Sequence, residues 1–434
     1  MHRTHTQAEW IARAHAVLPA AGFGNFDSGI IIARGQGARV WDEDGTVYVD
    51  YLIGSGPMIL GHGHAEVMEA VFRQLPQGMT IFAKSASGID LAEYIVAAMP
   101  SCEQVRFVTS GGEADMYAIR LARAFTGKPK ILKFEGGYHG MSAEAQMSLA
   151  PAHAVNFPTP VPDSAGIPKT VADDVLVAPF NDLAATASLL DEHSDIAAIL
   201  VEPLQRIIPA APGFLQGLRD LCDRHGVLLI FDEIVTGFRL AYGGAQTLYG
   251  VTPDISTLGK VIGGGFPLAA LGARAEIMAH FDAAKAGREK WLMQLGTLSG
   301  NPVAAVAGRK TLEILRRPGQ YPRLRALGQD LMDMQAKALT KAGIPHRICG
   351  DPTLFDVLFT DAKPIDYRSV KHSDPESNAV WNQALRAHGV FKSPGKVYPS
   401  LALTPEDRAV TAAAIAAATQ SLATFYERRM ATLA

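Results

Sequence analysis

Lys260 is the only charged residue between Ile255 and Ala273 in the stretch DISTLGKVIGGGFPLAALGA (254–273). Apolar neighbours desolvate a lysine, lower its pKa and expose a nucleophilic, imine-forming amine. Glycines 263–265 follow and let other groups approach closely. Asp232 ends the apolar run VLLIF (227–231). That puts it at the carboxyl end of a buried strand, where ligands bind in open α/β sheets. A carboxylate there is costly without a partner. A protonated pyridine nitrogen is one such partner, and the pair makes the ring an electron sink. Ser110-Gly111-Gly112 joins the run VRFVT (105–109) to a helix with Glu113 in its first turn. Glycines admit an anion to the backbone, and the free N–H groups of a helix start suit a phosphate. Tyr138-His139, in KFEGGYHGM (133–141), place an aromatic just beyond the next strand, where it could stack on a planar heterocycle.

Each feature has an ordinary reading on its own. Most strand–glycine–helix turns bind nothing, and most tyrosines simply pack. Most lysines end a helix, and an acid after a strand caps the next helix or binds magnesium. The spacing around Gly111 matches neither the Walker loop nor the dinucleotide fingerprint, and no phosphate-loop lysine supports a nucleotide site. Taken together, the four supply a phosphate cradle, a stacking ring, an acid for a pyridine nitrogen and an amine for an imine. Those are the parts that pyridoxal 5'-phosphate (PLP) needs.

These side chains require a scaffold of buried strands. Seven apolar runs alternate with helical stretches: VRFVT (105–109), KILKF (130–134), VLVAP (175–179), IAAILVEP (196–203), VLLIF (227–231), DISTL (254–258) and LAALGA (268–273). Continuous apolar runs between helices predict an α/β fold with a mainly parallel seven-stranded sheet covered on both faces. The five prolines between Ser142 and Lys169 predict a long loop there, which could gate the site. ARVWDEDGTVYVDYL predicts a hairpin about Asp44-Gly45. The N-terminal MHRTHTQAEWIARAHAVLPAA reads as an amphipathic docking helix through Trp10, Ile11, Ala14, Val17 and Leu18. We divide the 434 residues into 1–55 (helix and hairpin, part of a small α+β domain), 56–315 (large domain) and 316–434 (C-terminal small domain).

A net charge of −3 gives no general reason to expect nucleic acid or an anionic membrane. Cys102, Cys222 and Cys349 are odd in number and far apart, which argues against a disulfide framework and fits a reducing cytoplasm. The N-terminus lacks the apolar core of a signal peptide, and the uncharged run Ala409–Phe425 reads as a packed helix, so no membrane partner is expected. His62, His64 and His139 have no acidic ligands at zinc-like spacing, so no metal is expected.

At this point the residues resemble class III (fold type I) aminotransferases, closest to the branch that contains glutamate-1-semialdehyde aminomutase. The similarity rests on GPMILGHGHAEV (56–67), SGGEA (110–114), KFEGGYHG (133–140), VEP (201–203), FDEIVTGFR (231–239), STLGKVIGGGFP (256–267) and GTLSGNP (296–302). The resemblance implies that Lys260 forms the imine with PLP and moves the proton between carbons. It implies that Asp232 pairs with the pyridine nitrogen, that Tyr138 and Ile234 cover the ring faces, and that Ser110, Gly111 and Gly112 hold the phosphate beside His139. Gln205 would contact the ring oxygen. Thr297 would reach the phosphate of the other subunit in a homodimer with shared active sites.

Several positions depart from the aminomutase. The segment Leu18–Gly29 is short and has Asn25-Phe26 near where an arginine is expected. Ser55 replaces a tryptophan, and Gly112 a residue with a hydroxyl. LQRIIPAAPGF brings Arg206 near the site, and FKSPGKVYPSLAL (391–403) lacks an acid. These departures favour a transaminase acting on a small-molecule amino donor and a carbonyl acceptor, with Ser55 and Arg206 as substrate contacts. An aminomutase, an amino-acid or lactam racemase, and a non-catalytic PLP-binding regulator are the alternatives.

Overall fold

The computed structural model describes residues 5–26 and 29–433. The first four residues of the N-terminal stretch and residues 27–28 of the Leu18–Gly29 segment lie outside them.

The seven apolar runs form seven strands of one sheet: β1 (Gln104–Val108), β2 (Lys130–Phe134), β3 (Val175–Ala178), β4 (Ile196–Val201), β5 (Leu228–Glu233), β6 (Ile255–Leu258) and β7 (Ala269–Ala273). Their order is β1-β7-β6-β5-β4-β2-β3. All neighbours are parallel except β7, which runs antiparallel to both β6 and β1. Every residue of β4, β5, β6 and β7 is buried. Strands covered by helices on both faces have no solvent side to alternate towards, and this explains the unbroken runs.

The helix Gly111–Thr126 crosses one face of the sheet and packs on β7, β6 and β4. Its inward stripe is Ala114, Ala118, Leu121 and Ala122, small enough for close approach, and Gly127 ends it in the left-handed conformation. This crossing brings the helix start to the carboxyl end of β5.

The predicted hairpin is present: Arg39–Asp42 pairs antiparallel with Val47–Asp50, with Gly45 at φ +87° in the turn. Val390–Phe391 joins the outer edge of this pair in parallel. Ala38, Val49 and Tyr51 therefore share a core with Leu331, Phe355, Trp381 and Leu422 from the C-terminal third. The last helix, Pro405–Leu433, buries Ala414, Ile415, Ala418 and Leu422 there. It is also the one helix among the described residues that is long and apolar enough to cross a membrane.

The N-terminal helix corrects an expectation. It forms over Gln7–Val17 with a Thr6–Glu9 capping box, yet it buries no residue. Val17 is 76% exposed, whereas Trp10, Ile11, Ala14 and Leu18 are half-buried, so the stripe is only partly covered among the described residues. Capping and local contacts, such as Arg13 stacked 4.5 Å from the Trp10 ring, support it instead.

The stretch from Ser142 to Pro168 holds no helix or strand, only an isolated bridge between Met147 and Pro162. It is pinned from two sides. Lys133 on β2 is fully buried and donates to the carbonyls of Ala145 (2.7 Å) and Met147 (2.8 Å). Burial pulls its ammonium down to about 7. Arg368, from the C-terminal third, pairs with Glu135 (2.7 Å) and donates to the Val155 carbonyl (2.7 Å).

Candidate active site

A cavity of about 580 Å³ opens at the carboxyl ends of the sheet strands. Ser110, Gly111, Gly112, Tyr138, Asp232, Ile234 and Lys260 all line it. Four separate segments of the sequence therefore converge on one space.

At one wall Ser110 caps the helix Gly111–Thr126, its hydroxyl accepting from the Glu113 amide (3.3 Å), while Glu113 Oε2 accepts from the Thr109 amide (2.8 Å). The backbone here is tightly cradled. A Cβ on Gly111 would lie 2.8 Å from Ile234 Cγ2, and one on Gly140 would lie 2.3 Å from Gly112 Cα. Glycine is thus required on both sides of the turn, and the amides of the first helical turn are left facing the cavity edge.

At the floor, Asp232 is 4% exposed. Its Oδ1 accepts from the Ile234 amide (3.0 Å), and its Oδ2 faces His139 Nδ1 at 2.8 Å. His139 therefore lies behind the acid and does not line the cavity. Tyr138 lines the wall, its amide donating to Glu202 Oε2 (2.9 Å), and the Arg206 guanidinium stands 5.0 Å over its ring.

Lys260 follows β6 at φ +48°. It makes no hydrogen bond or ion pair with a described residue. Burial pulls its ammonium below the ordinary lysine value, opposed by Tyr398, Asp232 and Glu202. Tyr398 is fully buried beside it. Burial alone would push that phenol up, but Lys396, Lys260 and Arg239 outweigh it and hold the group below the usual tyrosine value.

Four expected contacts lie elsewhere. Gln205 is buried, but its Nε2 donates to the Glu135 carbonyl (2.8 Å) and it lines no part of the cavity. Arg206 donates from Nε to the Gly136 carbonyl (3.1 Å) and borders the cavity beside Tyr138 without lining it. Ser55 is exposed at φ +66° and stands against the Tyr398 hydroxyl. Thr297 is exposed in a turn away from this cavity.

Asp115 and Glu202 also line the cavity, unforeseen as site residues. Asp115 had a legible signal: it lies one turn after Gly111, on the helix face that begins at the anion cradle. Its Oδ1 accepts from Thr257 Oγ1 (2.6 Å). Ligand atoms of Asp115, His139 and Asp232 all fall within 4.8 Å of one another. Within the group His139 Nδ1 faces Asp232 and Asp115 accepts from Thr257, while His139 Nε2 has no hydrogen-bond partner. His62, for its part, is paired with Asp50 at 2.7 Å.

The donor set fits PLP. A glycine cradle at a helix start suits a phosphate, a buried acid held by a histidine suits a ring nitrogen, and a half-buried lysine amine without a partner among the described residues suits an aldehyde carbon.

Comparisons with known proteins agree. The chain is 41% identical over 385 residues to glutamate-1-semialdehyde 2,1-aminomutase 2 of Brevibacillus brevis, covering 87% of this chain and 88% of that protein. It is 42% identical over 401 residues to glutamate-1-semialdehyde 2,1-aminomutase of Heliobacterium modesticaldum, covering 91% and 90%. The crystal structure of an omega-transaminase from Sphaerobacter thermophilus superposes with a TM-score of 0.90 at 36% identity, covering 97% of this chain and 98% of that one. The family model for class-III aminotransferases matches residues 23–423. With the fold type I sheet, the cavity at its carboxyl edge and these relatives, the chain belongs to the class III aminotransferases, which are PLP-dependent enzymes.

Proposed function

We propose that the protein is a cytoplasmic homodimeric transaminase that passes an amino group from an amino acid or amine to a carbonyl compound. The observation that carries this reading is the meeting of Lys260, Asp232 and the Ser110–Gly112 turn at one cavity. PLP, when bound, supplies a ring that takes up the electron pair released at the substrate carbon. The amides after Ser110 bind its phosphate. Asp232, oriented by His139, holds the proton on the ring nitrogen. Tyr138 and Ile234 confine the ring. Lys260, whose pKa desolvation lowers so that a nucleophilic amine is freed, would hold the cofactor and would move a proton at the substrate carbon through its Nζ. In our reading Arg206, stacked on Tyr138, meets a substrate carboxylate with two parallel hydrogen bonds, and Ser55 stands at the substrate entrance.

The two aminomutase relatives support a second reading, in which the nitrogen returns to the same molecule. Visible absorbance of the purified protein, followed through a panel of amino donors, decides between them. A cofactor band that bleaches with some donors, and returns with a carbonyl acceptor, is the transaminase result. A band that persists with every donor but responds to a diamine or an amino-aldehyde is the aminomutase result. A protein with no band after PLP is added would overturn both. In the same panel Arg206→Ala is expected to raise KM for acidic donors by roughly tenfold, the worth of about one charge-assisted hydrogen bond. An unchanged KM removes Arg206 from the site.

Support for the homodimer lies on the surface. Met79, Ile81, Phe82 and Ile89 expose 50–62% of their area, and Leu295 exposes 69%. The segments 82–92 and 294–300 frame a second cavity of about 420 Å³. An apolar surface of this kind marks an interface. Thr297 falls within the segment 294–300, in keeping with a contribution to a partner's site. The free, buried cysteines are compatible with a reducing compartment. We also retain the division into 1–55, 56–315 and 316–434, since the N-terminal hairpin shares the C-terminal core. Leu295→Glu is expected to give a monomer in sedimentation and to weaken PLP retention. A dimer that survives the charge would place the interface elsewhere.

A further inference from the structure

Asp115 and Asp232 are both buried, and their carboxyl oxygens approach within 4.8 Å. They arrive from different elements. Asp115 descends from the helix Gly111–Thr126, while Asp232 rises from β5, directly opposite Thr257 on β6. Thr257 in turn donates to Asp115 (2.6 Å). Two carboxylates this close in a buried site do not both ionise, so one keeps a proton. Hydrogen bonding decides which. Asp232 Oδ1 accepts from the Ile234 amide (3.0 Å), and its Oδ2 faces His139 Nδ1 (2.8 Å). Asp115 accepts from the Thr257 hydroxyl (2.6 Å) and shares its other hydrogen bond with Asp232, which favours the protonated form. Burial first, and the Asp232 charge second, push the Asp115 carboxyl well above the usual carboxylate range. The other ionisable groups around Asp115 are His139 behind Asp232, Glu202 across the cavity and Lys133 on β2.

We propose that Asp115 is a positioning residue held as a neutral acid, which gives its hydrogen bond to Asp232, so that the cavity floor presents one negative charge rather than two to the cofactor's ring nitrogen. This rests on the reading that Asp232 meets that nitrogen. A single charge matches a single pyridinium. A second would make the empty site repel itself and would strengthen the hold on the ring as Asp115 ionised.

The test is infrared spectroscopy of the apoprotein with carbonyl-labelled aspartate. At neutral pH the spectrum is expected to hold a protonated carboxyl band that is lost in Asp115→Asn. If the asparagine variant does not fold, Asp115→Leu gives the same readout. A band that survives both substitutions, or one absent from the wild type, overturns the proposal. The pH profile of PLP affinity separates this role from a merely structural one. The wild type is expected to bind PLP more tightly as Asp115 gives up its proton on the alkaline side, and Asp115→Asn to lose that change. Superimposed profiles would also overturn the proposal. Failure of the Asp232 reading looks different: the band is present and lost in the variant, but PLP affinity is untouched by Asp232→Asn.

Discussion

Lys260→Ala is expected to stop turnover while leaving the fold intact. The amine has no hydrogen-bond or ion-pair partner among the described residues, so its removal breaks no such bond. Burial already disfavours its charge, so losing it relieves a desolvation cost. Alanine also accepts the local backbone as well as lysine does, since both are L-residues at φ +48°. The unfolding midpoint should therefore stay level or rise. Activity behaves in the opposite way. A positioned general base contributes about 10²–10⁴-fold on its own, and the lysine also supplies the covalent hold on the cofactor. A combined loss of roughly 10⁴-fold or more in kcat is expected, with PLP washed out on gel filtration. A variant that keeps more than about a hundredth of wild-type kcat with PLP added would contradict the role given to Lys260.

The second large effect is expected at Asp232. In Asp232→Asn the side chain keeps its shape, an oxygen for the Ile234 amide and a polar partner for His139. What disappears is the charge that, on the proposed function, would face the cofactor's ring nitrogen. Removing one member of a buried charged pair costs about 3–5 kcal/mol. At about 1.4 kcal/mol per decade, that is roughly 10²–10⁴-fold in kcat. With PLP bound, a neutral asparagine would no longer hold a proton on the ring nitrogen, which the ring would need in order to serve as an electron sink. Steady-state kcat with saturating PLP measures the loss. A decrease smaller than about tenfold would show that the ring nitrogen does not depend on Asp232. The same substitution removes the charge that pushes on Asp115, so the Asp115 carboxyl should move back toward its ordinary range.

These two residues were legible because their signals are local. Lys260 is conspicuous as a lone charge among apolar residues, and Asp232 because five apolar residues lead straight into it. The Ser110–Gly112 turn carries its chemistry in its own backbone, and the strands appear as unbroken apolar runs because both faces of the sheet are covered. The hairpin about Gly45 is equally local, since a left-handed turn residue and two alternating strands lie within one short stretch.

What the chain order does not contain is which segment arrives beside which. Asp115 looks like a surface acid of a helix until that helix crosses the sheet and places it against Asp232 and Thr257. Gln205 sits two residues beyond Pro203, close to the cavity in sequence, yet its amide turns to the Glu135 carbonyl. Lys133 occupies one position in an apolar run, and only the fold shows that two carbonyls of a distant loop satisfy its ammonium. The N-terminal stripe of Trp10, Ile11, Ala14 and Leu18 predicts a helix, and only the structure shows that the stripe is half-buried rather than taken into the core. The physical reason is the same in each case. Propensity, patterning and turn chemistry act over a few residues and are written in the sequence, whereas hydrogen-bond partners and proton affinities are set by neighbours through space, which only the packed tertiary structure supplies.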